Sequence, residues 1–305
     1  MKKLYLFFFF YLVIISNLLA GEPPKDPILS IETDMHISAI KRIGVDKNEK
    51  YIVTGSDDKT IRVWDFKNGN LLKTLRPPIG KENEGKIYAV AISPDAKYVA
   101  GGGDTGYLWD KYYSVYIFDL ETGNLTKKIK NIPNVINHLT YSKDGKYLAV
   151  GIWGSNGIKI YDANNYKLIF EDKNYGDSVY GIDFSKDGLI VVSSYDGYIR
   201  LYDKNFNLIK KKKTIGGERP FQVSFSSDGT KIAVGYDDTK NVYVISTKDL
   251  KELYKLDTKD IEGCNFFSVS FSGDYLYSAG TCEKLIDGIW KVIIRRWDKD
   301  GKNQL

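Results

Sequence analysis

The sequence predicts an all-β fold, a β-propeller built from four-stranded antiparallel blades, on three observations. A phrase of strand, turn, strand, polar turn and a third strand ending in aromatic-Asp recurs six times. The copies are spaced by about 41 to 54 residues, most by 41–43, which is the length of one four-stranded blade. No window carries a helical apolar stripe, whereas Asp-Gly and Asn-Gly punctuate runs of alternating apolar and polar residues.

Of 305 residues, 43% are hydrophobic and 14% aromatic, mostly 23 Tyr and 14 Phe, so there is apolar area for a packed core and a bias toward strand formers. The first twenty residues stand apart. Lys2 and Lys3 precede an apolar run from Leu4 to Ile15 and then Ser16-Asn17-Leu18-Leu19-Ala20. This is the layout of a secretory signal peptide with cleavage after Ala20, leaving residues 21–305 as the propeller. An uncleaved membrane anchor is the other reading, and the run is short for a full span. No Cys lies near Ala20 to carry a lipid. Both readings put the body outside the cytoplasm, in the periplasm or secreted, without membrane insertion once the signal is removed. The net charge of +5 becomes about +3 without Lys2 and Lys3, too mild a balance to point to nucleic acid. Lys210-Lys211-Lys212-Lys213, the one basic cluster, reads as a solvated edge strand.

The elements follow in order. Pro27-Ile28-Leu29-Ser30-Ile31-Glu32 reads as a lone strand ahead of the repeats. The first turn of each repeat is VDKNEKYIV at 45–53, SPDAKYVA at 93–100, SKDGKYLAV at 142–150, SKDGLIVV at 185–192, SSDGTKIAV at 226–234 and SGDYLYSA at 272–279. The closing strands are TIRVWD at 60–65, VYIFD at 115–119, IKIYD at 158–162, IRLYD at 199–203, VYVIS at 242–246 and IRRWD at 294–298. Asp and Gly in the turns cap the backbone and accept positive φ.

GSDDKTIRVWD at 55–65 resembles the signature of the WD-repeat (WD40) family, and RRWD at 295–298 is a weaker instance. The resemblance covers residues 27–298 and suggests an exported, bacterial-type member. It implies a hydrogen-bonded blade network of His36, Thr54, Asp58 and Trp64. In the other repeats Phe118, Tyr161, Tyr202 and Ile245 stand at the Trp position and the His is missing, so those blades are expected to lean on apolar packing. The resemblance also implies that residues 27–32 supply the outermost strand of the last blade and close the ring. Six blades result, with a degenerate seventh left open.

With strands lettered a to d from the channel outward, the d–a and b–c loops share one face. Long b–c connections are expected from about Asp104 to Tyr113 and from about Thr281 to Lys291. They carry Tyr107, Trp109, Tyr112, Tyr113 and Trp290, and the shorter turn WGSNG carries Trp153. Large rings on loops suit a partner-binding surface; the alternative is that each loop caps its own blade. Cys264 and Cys282 fall on neighbouring loops of one blade and are candidates for a disulfide in an exported chain, with two free thiols as the alternative.

Nothing points to catalysis. Two His cannot build a His-rich metal site, His138 lies inside a strand, and Gly101-Gly102-Gly103 ends a strand without opening a phosphate-binding helix. The expected function is a monomeric, non-catalytic scaffold for protein partners that uses the b–c loop face, as the resemblance implies, with no cofactor or metal. Two other readings stay open: a propeller that binds or hydrolyses a sugar or lactone in its channel, alone or with calcium, and a sensor fragment of a larger exported assembly.

Overall fold

In the computed structural model the described residues are 32–106, 112–259, 263–286, 289–298 and 301. Residues 1–20, the closing strand apart from Glu32, Tyr107 and Trp109 lie outside them. The chain is an all-β, six-bladed propeller, and the described residues contain no helix.

Blade 1 comprises β1 (Ile40–Val45), β2 (Tyr51–Ser56), β3 (Ile61–Asp65) and β4 (Leu71–Leu75). Blade 2 is β5 (Lys86–Ile92), β6 (Tyr98–Asp104), β7 (Tyr113–Asp119) and β8 (Leu125–Ile132). Blade 3 is β9 (Ile136–Tyr141), β10 (Tyr147–Ile152), β11 (Ile158–Asp162) and β12 (Leu168–Asp172). Blade 4 is β13 (Val179–Phe184), β14 (Ile190–Ser194), β15 (Tyr198–Tyr202) and β16 (Leu208–Lys213). Blade 5 is β17 (Pro220–Phe225), β18 (Lys231–Tyr236), β19 (Val242–Ser246) and β20 (Glu252–Lys255). Blade 6 shows three strands among the described residues, β21 (Ser268–Ser272), β22 (Tyr275–Ile286) and β23 (Ile289–Asp298). Every sheet is an antiparallel meander, so short turns suffice between strands.

The a–b turns show why the S-x-D-G phrase recurs. Ser142 donates its hydroxyl to Asp144 and accepts from the Tyr147 amide, and Ser226 does the same with Asp228 and Lys231. Positive φ at Gly145, Gly188 and Gly229 completes the turn.

The core is not inside the blades but between them. Val53, Ile61 and Val63 of blade 1 pack with Ile87, Val90 and Tyr116 of blade 2, and four more clusters join blade 2 to 3, 3 to 4, 4 to 5 and 5 to 6. Gly101 and Gly102 in β6 serve this packing. A Cβ on Gly101 would run into Ile61 of blade 1, and one on Gly102 would press Ile136 of blade 3 at 3.1 Å. Strand β6 is therefore thin enough for both neighbours to close on it. The lysine-rich strand β16 is the outermost of its blade, and the Lys211 ammonium lies 4.5 Å over the Tyr198 ring.

The long b–c loop expected in blade 6 is instead mostly strand. Glu283 pairs with Val292, Lys284 with Lys291, Leu285 with Trp290 and Ile286 with Ile289, after a bulge between Ala279 and Glu283. Leu285, Ile286, Ile289 and Trp290 are aliphatic or aromatic types that favour strands, so the ladder continues as far as Ile286 and Ile289.

Candidate functional site

In blade 1 the residues singled out from the sequence meet. The His36 Nδ1 lies 2.8 Å from Asp58 Oδ2 and its Nε2 lies 2.7 Å from Thr54 Oγ1, while Trp64 Nε1 donates to Thr54 Oγ1 at 2.8 Å. Satisfying all four groups puts the imidazole proton on Nδ1, toward the carboxylate, with the Thr54 hydroxyl donating to Nε2. Burial raises the Asp58 carboxyl, but bonds from Thr60 and His36 outweigh it and hold the group below the usual range.

Blade 4 replaces this network with another that the sequence pattern did not announce. Arg200, 1% exposed, is clamped by Asp196 at 2.5 and 3.1 Å, donates to the Asn174 carbonyl and stacks 3.8 Å over the Tyr175 ring. The Tyr175 and Tyr202 hydroxyls lie 2.8 Å apart, and Tyr202 donates to Asp172 at 2.7 Å. Apolar packing alone does not hold this blade, since Tyr202 stands where the first blade has Trp64.

The face formed by d–a and b–c loops carries an arc of aromatic rings. Trp153, 48% exposed, meets Tyr180 edge-on at 6.4 Å. Tyr180 contacts Tyr195 at 4.3 Å and stacks on Phe221 at 4.8 Å, and Phe221 meets Phe267 at 5.3 Å. The arc runs from blade 3 to blade 6. One repeated backbone bond positions part of it: the residue that follows strand b donates its amide to the start of strand a, Trp153 to Val135 and Tyr195 to Ser178, both at 2.9 Å. The other rings share one register position, five residues before a turn residue: Tyr180 in β13 before Ser185, Phe221 in β17 before Ser226, and Phe267, just ahead of β21, before Ser272. Tyr195 donates to Asp237 at 2.5 Å, and Arg219 sits 5.5 Å over the Tyr195 ring. Burial pushes the Tyr180 phenol up to about 12, so it stays neutral at physiological pH.

One position further along strand a stand Arg42, Ala89, His138, Gly181, Gln222 and Ser268. Arg42 spans the channel at this level. It donates to Gln222 Oε1 at 2.6 Å in blade 5, to the Asn137 carbonyl at 3.0 Å in blade 3 and to the Tyr180 carbonyl at 3.3 Å in blade 4. Burial lowers the Arg42 guanidinium to about 10, which leaves it charged at neutral pH. His138 is buried beside it, and burial followed by the nearby Arg42 charge drives its pKa well below the ordinary value. Below this level the six inner strands line a chamber of about 790 Å³ that opens between the a–b turns.

Tyr112 is 48% exposed and Tyr113 half-buried, and no ring contact joins either of them to Trp153 among the described residues. Trp290 is described only through its backbone, as the strand partner of Leu285. Tyr180, Tyr195, Phe221 and Phe267 were not read as site residues; aligning the six inner strands on their turn residues would have found three of them, since these stand in one column. Cys264 and Cys282 form a disulfide with Cα atoms 4.8 Å apart, linking the segment before β21 to β22. Among the described residues no group of three or more His, Cys, Asp or Glu side chains is arranged to hold a metal.

Comparison with known proteins agrees with this architecture. The family model for the WD domain, G-beta repeat (WD40), matches residues 28–65, 69–110 and 167–203. The eukaryotic translation initiation factor 3 subunit I of Candida glabrata is 28% identical over 196 residues, 59% of this chain and 54% of the relative. The guanine nucleotide-binding protein subunit beta of Arabidopsis thaliana is 30% identical over 119 residues, 38% of this chain and 30% of the relative. The small ribosomal subunit protein RACK1y of Oryza sativa subsp. japonica is 27% identical over 162 residues, 50% of this chain and 43% of the relative. The chain spans about half the length of the first of these relatives and less of the others.

Proposed function

From the premise that the chain carries WD40 repeats, we propose that it is a non-catalytic scaffold that docks a protein partner, outside the cytoplasm, on the face formed by its d–a and b–c loops. The observation that carries this reading is the aromatic arc of Trp153, Tyr180, Tyr195, Phe221 and Phe267. Its rings are rigid, contiguous and partly open to solvent, so a partner would gain apolar contact without ordering flexible side chains. Tyr112 and Tyr113, at the b–c connection of blade 2, stand on the same face. The relatives named above are each called a subunit or subunit protein, which suits a chain that works by being held in an assembly. The leader-like residues 1–20 and the Cys264–Cys282 bridge support an oxidising compartment. A scaffold role also suits the carboxylates that line the chamber among the described residues: Asp183 is held by Lys143 and the Phe225 amide, and Asp144 by Ser142 and Lys146.

The test is affinity capture from the native envelope fraction with the mature chain, with Trp153→Ala/Tyr195→Ala and with a variant lacking residues 107–113. A partner held by the parent and lost by the variants, at unchanged melting temperature, supports the reading. Identical catches from all three would remove this face as the docking surface.

A further inference from the structure

The chamber below Arg42 shows an imbalance of charge that the scaffold reading does not use. Arg42 makes three hydrogen bonds, all to neutral oxygens, and no carboxylate pairs with it among the described residues. A guanidinium withdrawn from water is normally matched by an anion, because uncompensated charge in a protein interior is costly. The Arg42 Nε and the His138 Nδ1, both buried, lack any hydrogen-bond partner, and the His138 side chain is more than nine-tenths buried at 5% exposure. The Arg42 Nε–H is a buried donor left without an acceptor, which points to something that accepts from it.

The surroundings have the same sign. The chamber is lined by Arg42, Lys47, Lys143 and Lys186 against Asp144 and Asp183, and both carboxylates are already engaged by neighbouring side chains and amides. Ser268, at the level of Arg42 on β21, is a small polar side chain that also lines the chamber. His138, kept neutral by its burial and by Arg42, adds no charge to the chamber and is bonded to the backbone of Tyr180 and Ile182.

We propose that the lower chamber of the channel is a binding site for a small oxyanion, a phosphate, sulfate or carboxylate group, held by Arg42 and admitted from the a–b turn face past Lys47, Lys143 and Lys186. Arg42 supplies its charge and the Nε–H donor left over from its three bonds, and the three lysines raise the local anion concentration at the entrance. The site stands on the propeller geometry and is independent of docking on the opposite face.

Titration calorimetry and thermal melting of the purified chain with inorganic phosphate, sulfate or acetate, against chloride at constant ionic strength, test it. The expected result is saturable binding of one anion per chain at millimolar concentration or below, with a matching rise in melting temperature. The ranking of phosphate, sulfate and acetate separates a tetrahedral from a planar ligand. Arg42→Gln should weaken binding at least tenfold, and Arg42→Lys less. Because Arg42 also ties three blades, Lys186→Glu at the exposed entrance is the second variant: it should weaken binding severalfold with an unchanged circular dichroism spectrum. Absence of saturable binding by all three anions to the parent chain, or undiminished binding by both Arg42→Gln and Lys186→Glu, overturns the proposal.

Discussion

Replacing Thr54 by Val keeps the shape of the side chain and removes its hydroxyl, which joins the two halves of the blade 1 network. The hydroxyl is bonded to Trp64 Nε1 at 2.8 Å and to His36 Nε2 at 2.7 Å, and Thr54 is 6% exposed. Each bond contributes about 1 kcal/mol net, and a buried nitrogen left without a partner costs about 1–3 kcal/mol, so the expected loss is about 2–4 kcal/mol. For a chain of this size each kcal/mol moves the melting temperature by about 2 °C, giving a fall of about 4–8 °C. Urea unfolding followed by circular dichroism measures the loss, and a double-mutant cycle with His36→Leu measures the coupling. Because the two residues share one bonded chain, the cycle should return an interaction of at least about 1 kcal/mol. A loss below about 0.5 kcal/mol, or single-variant losses that simply add, would refute the view that Thr54 couples His36 to Trp64.

Three further outcomes are expected. The Cys264–Cys282 bridge joins residues 18 apart in sequence, so Cys264→Ala/Cys282→Ala should lose about 3 kcal/mol; a reductant that leaves the melting temperature of the parent chain unmoved would contradict this. Gly103→Ala places a Cβ against the Lys86 carbonyl and 2.6 Å from the Tyr88 amide, both backbone, and should destabilise by about 1–3 kcal/mol or more; a neutral result in calorimetry would show that β5 gives way freely. The Asp228 carboxyl is held at about 2 by the Ser226 hydroxyl and the Thr230 amide and hydroxyl. A depressed folded-state pKa contributes stability above the unfolded value of 3.8 that is lost as pH falls through about 2. Asp228→Asn should therefore flatten the acid limb of the stability curve in that window, and an unchanged slope would count against it.

The fold was legible because each blade announces itself twice, in the polar a–b turn, which reads S-x-D-G in blades 3, 4 and 5, and in the closing strand. Those residues act locally, bonding within a few positions of themselves, as Ser226 does with Asp228 and Lys231. The blade 1 residues were legible because their spacing matches a known signature. The aromatic arc was only partly so. Trp153 was found as a ring in a turn, whereas Tyr180 and Phe221 sit inside ordinary alternating strands, and only the ring geometry brings them together. Arg42 was missed for the same reason, since Lys41-Arg42 reads as the polar start of a strand until the channel axis is known. Arg200 was hidden differently: the expected His and Trp are missing from its repeat, and the substitute partners Tyr175, Asp196 and Tyr202 resemble no pattern.

The placing of the apolar clusters makes this molecule resemble a masonry arch more than a row of beads. No blade owns an interior; each is a wedge whose two flanks are finished by its neighbours. Excising blade 3, for instance, would strip cover from Val115 and Ile117 on one side and from Ile182 and Phe184 on the other. Insertions can therefore accumulate at the rims without harm, while the number of wedges resists change, since adding or dropping one disturbs two seams at once.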